Sequence, residues 1–226
     1  MRCIVTAGPT YEPLDQVRRL TNFSTGKLGT ELANYLVSRG HEVTLLRGHY
    51  STYLDAEKAV QVRTFTTTAD LSTRLAALSG QPFQAVFHAA AVADFTVGTV
   101  WRRAIDGRLI EVRSGKFSSS ESPLLVELVA APKLIRRLRP WFPRAFLAGW
   151  KLEIEGDRSA TLAKAERQII ESNTNACIAN GRAYGRGFGI VTAPGQCIDL
   201  PDPPALYAAL EDIMRKFEAA GTEPGV

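Results

Sequence analysis

The sequence predicts an α/β fold: a Rossmann-like, mostly parallel sheet with helices on both faces and an antiparallel arm around residues 98–128. Three observations carry this. Short apolar runs alternate with amphipathic helical stretches along most of the 226 residues. The first run opens the chain, breaks at Ala7-Gly8-Pro9-Thr10 and passes through a polar segment into a helix. Only residues 98–128 abandon the alternation.

Residues 3–6, Cys-Ile-Val-Thr, have the composition of a buried strand. Residues 27–39 carry a helical pattern that stops at Gly40, a residue suited to the left-handed helix close. Residues 41–46 and 60–65 read as the second and third strands. Leu71, Leu75 and Leu78 fall at helical spacing within residues 69–79. Residues 85–89 and 145–150 supply the fourth and fifth strands, and a helix over 160–171 leads to a sixth at 175–179. Short strands follow at 190–192 and 197–200, and a helix over 204–217 closes the fold. In the arm, residues 110–112 and 124–128 alternate like antiparallel strands around the flexible, serine-rich residues 114–120. One domain is expected over residues 1–220, with a disordered tail at 221–226.

A hydrophobic fraction of 45% with 22% charged residues matches a globular protein with a full core. No apolar run approaches the roughly 20 residues of a membrane span, so no membrane partner is expected. A strand beginning at residue 3 leaves no room for a leader, and a cytoplasmic protein is expected. Cys3, Cys177 and Cys197 show no metal-binding spacing, and neither do His41, His49 and His88, so no structural metal is expected. Cys3 and Cys177 read as small buried hydrophobes. A scattered net charge of +4 argues against nucleic acid and suits anionic metabolites. Arg136, Arg137 and Arg139, near Trp141, read as a solvated helix end.

The strongest functional signal runs from Val5 to Gly29. A strand, a Gly8 loop and a helix opened by Ser24-Thr25-Gly26-Lys27 make an anion cradle, because the first N–H groups of a helix have no internal partner. Ser24 and Thr25 would serve equally as an ordinary helix cap. Thr21 and Leu28 stand where a P-loop needs Gly and Ser or Thr, and no GxGxxG follows the first strand. An open parallel sheet binds ligand at the carboxyl ends of its strands. Four blocks fall there: Gly8-Pro9-Thr10, the run from Ala89 to Asp94, the segment Trp150-Lys151-Leu152-Glu153, and Ala179-Asn180-Gly181. On residue type alone, Asp94 is a turn aspartate or a ligand, Trp150 a core residue or a base-stacking ring. Lys116 reads as a solvated loop lysine.

The strings T-A-G-P-T-Y-E-P-L-D-Q-V-R, from Thr6, and T-N-F-S-T-G-K-L-G, from Thr21, resemble the opening of the phosphopantothenate–cysteine ligase family. That family writes them T-[AS]-G-[PG]-T-x-E-P-[IL]-D-x-V-R and x-N-x-S-[ST]-G-[KR]-x-G. The block Ala89-Ala90-Ala91-Val92-Ala93-Asp94 resembles its A-A-V-A-D-[FY]. The resemblance covers most of residues 1 to about 200. It implies a ligase that joins 4′-phosphopantothenate to L-cysteine through an acyl-nucleotide, using CTP or ATP with Mg²⁺, as a homodimer. The family's frequent fusion partner, a flavin-dependent decarboxylase, has no counterpart in these residues, so no flavin is expected.

Carried over residue by residue, the resemblance makes Asn22 the catalytic amide and Lys116 the cation that neutralises nucleotide phosphate. It places Gly8, the backbone of His88, Ala89 and Ala90, and the side chains of Asp94, Trp150 and Lys164 at the nucleotide. Ser24, Thr25, Gly26 and Lys27 would lie at the substrate phosphate. The chain also departs from the family. Lys116-Phe117-Ser118-Ser119 keeps only the first lysine of K-x-K-K, and Ala131-Pro132-Lys133-Leu134 stands where the family commonly has N-P-D-[IL]. These departures keep open a nucleotide-sensing or scaffold protein without turnover. A short-chain-type NAD(P) oxidoreductase fits less well, because no tyrosine has a lysine four residues later.

Overall fold

The computed structural model describes residues 1–57, 60–121 and 123–222. The chain begins with β1 (Arg2–Ala7), a hairpin of β2 (Tyr11–Pro13) and β3 (Arg19–Thr21), α1 (Lys27–Ser38) and β4 (Glu42–Gly48). It continues through β5 (Gln61–Phe65), α2 (Thr68–Leu78) and β6 (Ala85–His88) into β7 (Phe95–Arg103), β8 (Leu109–Glu111) and β9 (Leu124–Ala130). After the short α3 (Leu138–Trp141) come β10 (Phe146–Leu152), α4 (Arg158–Ser172) and β11 (Ala176–Asn180). The hairpin of β12 (Phe188–Ala193) and β13 (Gln196–Leu200) and α5 (Pro203–Thr222) complete it.

The main sheet has eight strands in the order β13-β12-β11-β10-β6-β1-β4-β5. Every pairing from β5 to β11 is parallel, and only the β11–β12 and β12–β13 pairings are antiparallel. Alternation along each strand sorts the core into two layers. Cys3, Val5 and Ala7 pack with Leu32 and Leu36 of α1 and Leu206, Leu210 and Met214 of α5. Ile4, Leu46, Val86 and Leu147 pack with Leu71, Leu75 and Leu78 of α2 on the opposite face. On that second side α4 covers β11 and β12 through Ala165, Cys177, Ala179 and Val191. Burial pushes the Cys3 and Cys177 thiols up to about 12, so both act as inert apolar filler.

The α/β architecture with its antiparallel arm is as expected. The arm is a three-stranded sheet, β8-β7-β9, that begins at Phe95 and ends at Ala130, wider than residues 98–128. Pairing in β2 and β3 emerges from a stretch too polar to carry a strand pattern. The three arginines lie in the last turns of short helices, as expected, with Arg136 and Arg137 exposed and Arg139 half-buried, and each also has a tertiary partner. Arg139 donates to the Ala145, Pro143 and Asn173 carbonyls and to Asn175 Oδ1, Arg136 pairs with Glu171, and Arg137 donates to Ser72. They tie the α3 region to α2, α4 and the strands. Gly221 and Thr222 end α5, while residues 223–226 of the expected tail lie outside the described residues.

Candidate active site

Numbered by appearance, the six parallel strands run 3-2-1-4-5-6, the doubly wound order whose ligand crevice opens where the order reverses. That switch point lies between β1 and β6. The two strand exits are stitched together there: Ala91 N–H donates to Gly8 O at 2.9 Å and Thr10 N–H to Ala91 O at 3.2 Å. The buried Thr10 hydroxyl accepts from Ala93 N–H at 2.9 Å. Thr6 Oγ1 accepts from Ala90 N–H at 3.1 Å and lies 2.9 Å from His88 Nδ1. The hydroxyl has two acceptor lone pairs, so either it or the ring N–H of His88 is the donor, according to the tautomer. Burial, which pulls the His88 pKa down to about 4, keeps the ring neutral.

Three glycines let α1 settle onto the exit of β1. Gly8 and Gly26 have φ of 81° and 79°, conformations costly for any residue with a Cβ. A Cβ on Gly26 would lie 3.3 Å from Gly8 Cα, and one on Gly29 only 2.7 Å from Ala7 Cβ. These are the roles of the dinucleotide fingerprint: tight turn, close backbone approach, helix against strand. The fingerprint is present in space as Gly8 and Gly26-x-x-Gly29, with the β2–β3 hairpin inserted after its first glycine. A linear motif search therefore misses it. Gly26, not Ser24 or Thr25, is the N-cap, and it contributes no side-chain bond. Thr25 Oγ1 accepts from Lys27 N–H at 3.2 Å, and Lys27 itself pairs with Glu31 at 3.7 Å. Ser51, buried beneath Gly8 and Gly26, has a hydroxyl with no partner among the described residues.

Asn22 reaches the same crevice. Its amide Nδ2 donates to Ala91 O at 3.2 Å and Val92 O at 3.3 Å. Asp94 lies just beyond, exposed, and its carboxylate pairs with Lys133. Gly8, Asn22, Gly26 and His88 to Ala90 are thus brought together at the switch point. Trp150 and Lys164 belong to the neighbouring end of β10. Trp150 packs against the α1–α5 core, and its indole N–H is buried without a partner. Asn180 Oδ1, at the end of β11, is a second buried orphan. On the other face Lys164 and Lys151 both pair with Glu153, at 2.5 and 3.4 Å.

Lys116 is separate. Gln16 N–H donates to Gly115 O at 2.9 Å, Phe117 N–H to Asp15 Oδ2 at 3.2 Å, and Arg18 Nη2 to Phe117 O at 3.2 Å. These bonds hold Lys116 at the turn of the β2–β3 hairpin, a strand's length from Asn22. Thr6, Ser51 and Lys133 are candidate site residues that sequence reasoning did not assign, whereas Thr10 stood in one of the four strand-exit blocks. Lys133 had a signal, as a cation within the altered Ala-Pro-Lys-Leu segment.

Among the described residues, no group of three His, Cys, Asp or Glu is placed to hold a metal ion, and no helix is long and apolar enough to cross a membrane.

Comparison with known proteins agrees with this fold. The chain is 34% identical over 185 residues to the coenzyme A biosynthesis bifunctional protein CoaBC of Thermococcus kodakarensis. That match takes in 81% of this chain and 42% of the relative, so the chain spans less than half of the relative's length. The DNA/pantothenate metabolism flavoprotein of Streptococcus pneumoniae has the same fold, with a TM-score of 0.82 at 23% identity over 96% of this chain and 99% of that one. The C-terminal domain of a CoaBC protein superposes with a TM-score of 0.73 at 25% identity over 96% of each chain. Residues 1–199 match the profile of the DNA/pantothenate metabolism flavoprotein C-terminal domain, and the chain belongs to that family.

Proposed function

We propose that this chain is a phosphopantothenate–cysteine ligase, joining 4′-phosphopantothenate to L-cysteine at the expense of a nucleoside triphosphate. One observation carries the reading. Two separate anion-binding regions lie near the carboxyl ends of neighbouring parallel strands, as a reaction between two phosphorylated substrates requires. The first is the N-terminus of α1 with Gly8, Ser24, Thr25, Gly26 and Lys27, which suits the phosphate of the acid. The second is the lysine-lined end of β10 with Lys164, which suits the nucleotide. Trp150 Nε1 and Asn180 Oδ1, a buried donor and a buried acceptor, suit the edge of a base.

A carboxylate resists attack by an amine because its oxygen is a poor leaving group. Its oxygen therefore attacks the nucleotide α-phosphorus, pyrophosphate departs and a mixed anhydride forms. The cysteine amine then attacks the acyl carbon, the nucleoside monophosphate leaves, and loss of the amine proton completes the amide. Asn22 Nδ2 is the donor suited to the acyl oxygen. Both its protons face carbonyls at rest, so it releases one of them to do so. The neutral His88 and Thr6 keep the Ala89–Ala90 backbone rigid beneath the reacting atoms. A Mg²⁺ ion bound with the nucleotide would neutralise phosphate charge, and the exposed Asp94 carboxylate is the residue that would hold it. Lys116, fixed at the hairpin turn, is assigned to nucleotide phosphate in the partner's crevice of a homodimer.

The test is pyrophosphate release from purified protein with Mg²⁺ and 4′-phosphopantothenate, cysteine omitted, comparing CTP with ATP. Release that depends on the acid supports the ligase, and the faster nucleotide names the cosubstrate. Asn22→Ala is expected to lower turnover by roughly a hundredfold, in the range of a lost oxyanion donor. No release from folded protein with either nucleotide would favour the silent nucleotide-binding reading.

A further inference from the structure

We propose that Lys133 is a binding residue for the phosphate chain of the nucleotide, and that it takes this role by exchanging Asp94 for the ligand. The inference rests on the ligase reading but adds a residue and an exchange to it.

A cavity of about 320 Å³ lies between the end of β10, α4 and the helical turn that Lys133 opens. It is near the lower limit of ligand pockets, about 300 Å³, so it has room for a phosphate chain and little more. Lys133, Arg136, Lys151, Lys164 and Arg167 line it, against the carboxylates of Glu153 and Glu171. Glu153 is already shared by Lys151 and Lys164, and Glu171 is taken by Arg136. The lining therefore carries more positive charge than its own carboxylates neutralise, and it asks for a polyanion rather than a monoanion.

Lys133 connects this cavity to the switch point, because its ammonium pairs with Asp94. The two side chains are 55% and 66% exposed, and an exposed pair contributes only about 0–1 kcal/mol. Breaking it costs little. A triphosphate offers the ammonium several strong acceptors, while the freed Asp94 carboxylate faces the crevice where a nucleotide-borne cation arrives.

The test measures equilibrium binding of CTP, CMP, ATP and AMP, each with Mg²⁺, and of 4′-phosphopantothenate, to wild type, Lys133→Met and Lys133→Arg. Lys133→Met is expected to weaken the preferred triphosphate roughly tenfold and its monophosphate less than twofold. Lys133→Arg is expected to recover most of the loss. In ligation assays the nucleotide KM of Lys133→Met should rise more than kcat falls. Triphosphate binding within twofold of wild type, or equal losses for triphosphate and monophosphate, would overturn the proposal. So would a loss confined to 4′-phosphopantothenate. If wild type releases no pyrophosphate yet Lys133→Met still loses triphosphate selectively, the ligase reading fails and the Lys133 site stands.

Discussion

At the scale of single residues, the crevice depends on atoms that are absent. Gly29 lies in the first turn of α1, where alanine would ordinarily gain about 1 kcal/mol of helix propensity. Its missing Cβ is what lets α1 touch β1: an added one would meet Ala7 Cβ at 2.7 Å and Thr6 O at 3.0 Å. Overpacking of this kind costs roughly 1–3 kcal/mol, which after the propensity gain leaves a net cost of roughly 0–2 kcal/mol. Gly29→Ala is therefore expected to destabilise by about 1 kcal/mol in urea denaturation, and to weaken substrate binding at the α1 cradle. A variant as stable as wild type would show that α1 can slide without loss. Asn22 makes the complementary point. Its chemistry was legible as a motif, but its two carbonyl partners belong to a loop some 70 residues away.

At the scale of elements, the hairpin inserted between the fingerprint glycines is a clamp as well as a wall. Its turn holds the arm through Asp15, Gln16 and Arg18. Burial pushes the Asp15 carboxyl up, but the N–H groups of Val17, Phe117 and Arg18 outweigh it and hold it below the usual carboxylate range. Phe117, only 6% exposed, is the apolar half of the same contact. Asp15→Ala removes the acceptor for three backbone donors and should loosen residues 114–118. Limited proteolysis within that segment is expected to accelerate several-fold while cleavage elsewhere is unchanged. An unaltered digestion pattern would mean that the β7–β8–β9 sheet alone orders the segment. Glu12 and Asp15 belong to the motif that marked the family. Here Glu12 accepts from Thr68 N–H at the start of α2, and Asp15 holds the arm.

At the scale of the whole molecule, the end of the sheet remote from the crevice carries its own anchor. Glu211 of α5, almost fully buried, accepts from Tyr35 Oη, Arg39 Nε, His41 Nε2 and Arg215 Nε at 2.8–3.1 Å. Burial alone would raise its carboxyl, but these donors outweigh it and bring the pKa to about 2. Because the folded value lies below the unfolded one, about 4.3, this stabilisation is present above pH 4.3. It is lost as the pH falls towards 2, and amounts to roughly 2–3 kcal/mol. His41 acts with the same sign, since burial holds its pKa below the usual 6.5 and acid must charge it. Glu211→Gln should destabilise the protein by roughly 3 kcal/mol at pH 7 and flatten the loss of stability between pH 5 and 2. A variant with the wild-type pH profile would assign the acid sensitivity elsewhere.

The parallel α/β core was legible in the sequence because alternation and helical spacing are local, and burial on both faces makes the central strands read as apolar runs. The family strings were legible for a similar reason: each marks a strand exit or helix start, where few residue types fit. The β2–β3 hairpin was not, since its pairing answers to Thr10, Ala91 and the arm rather than to any pattern of its own. Nor was the spatial fingerprint of Gly8, Gly26 and Gly29, which a hairpin divides along the chain and the packing of α1 on β1 reunites. Lys133 against Asp94 and Ser51 beneath two glycines likewise come from loops that only the stacked strands bring together. Sequence by itself determined the layers and which blocks stand at the carboxyl ends of the strands. Tertiary structure decided which side chains meet there, because contacts across the crevice are set by strand order and a chain of this kind has no local code for it.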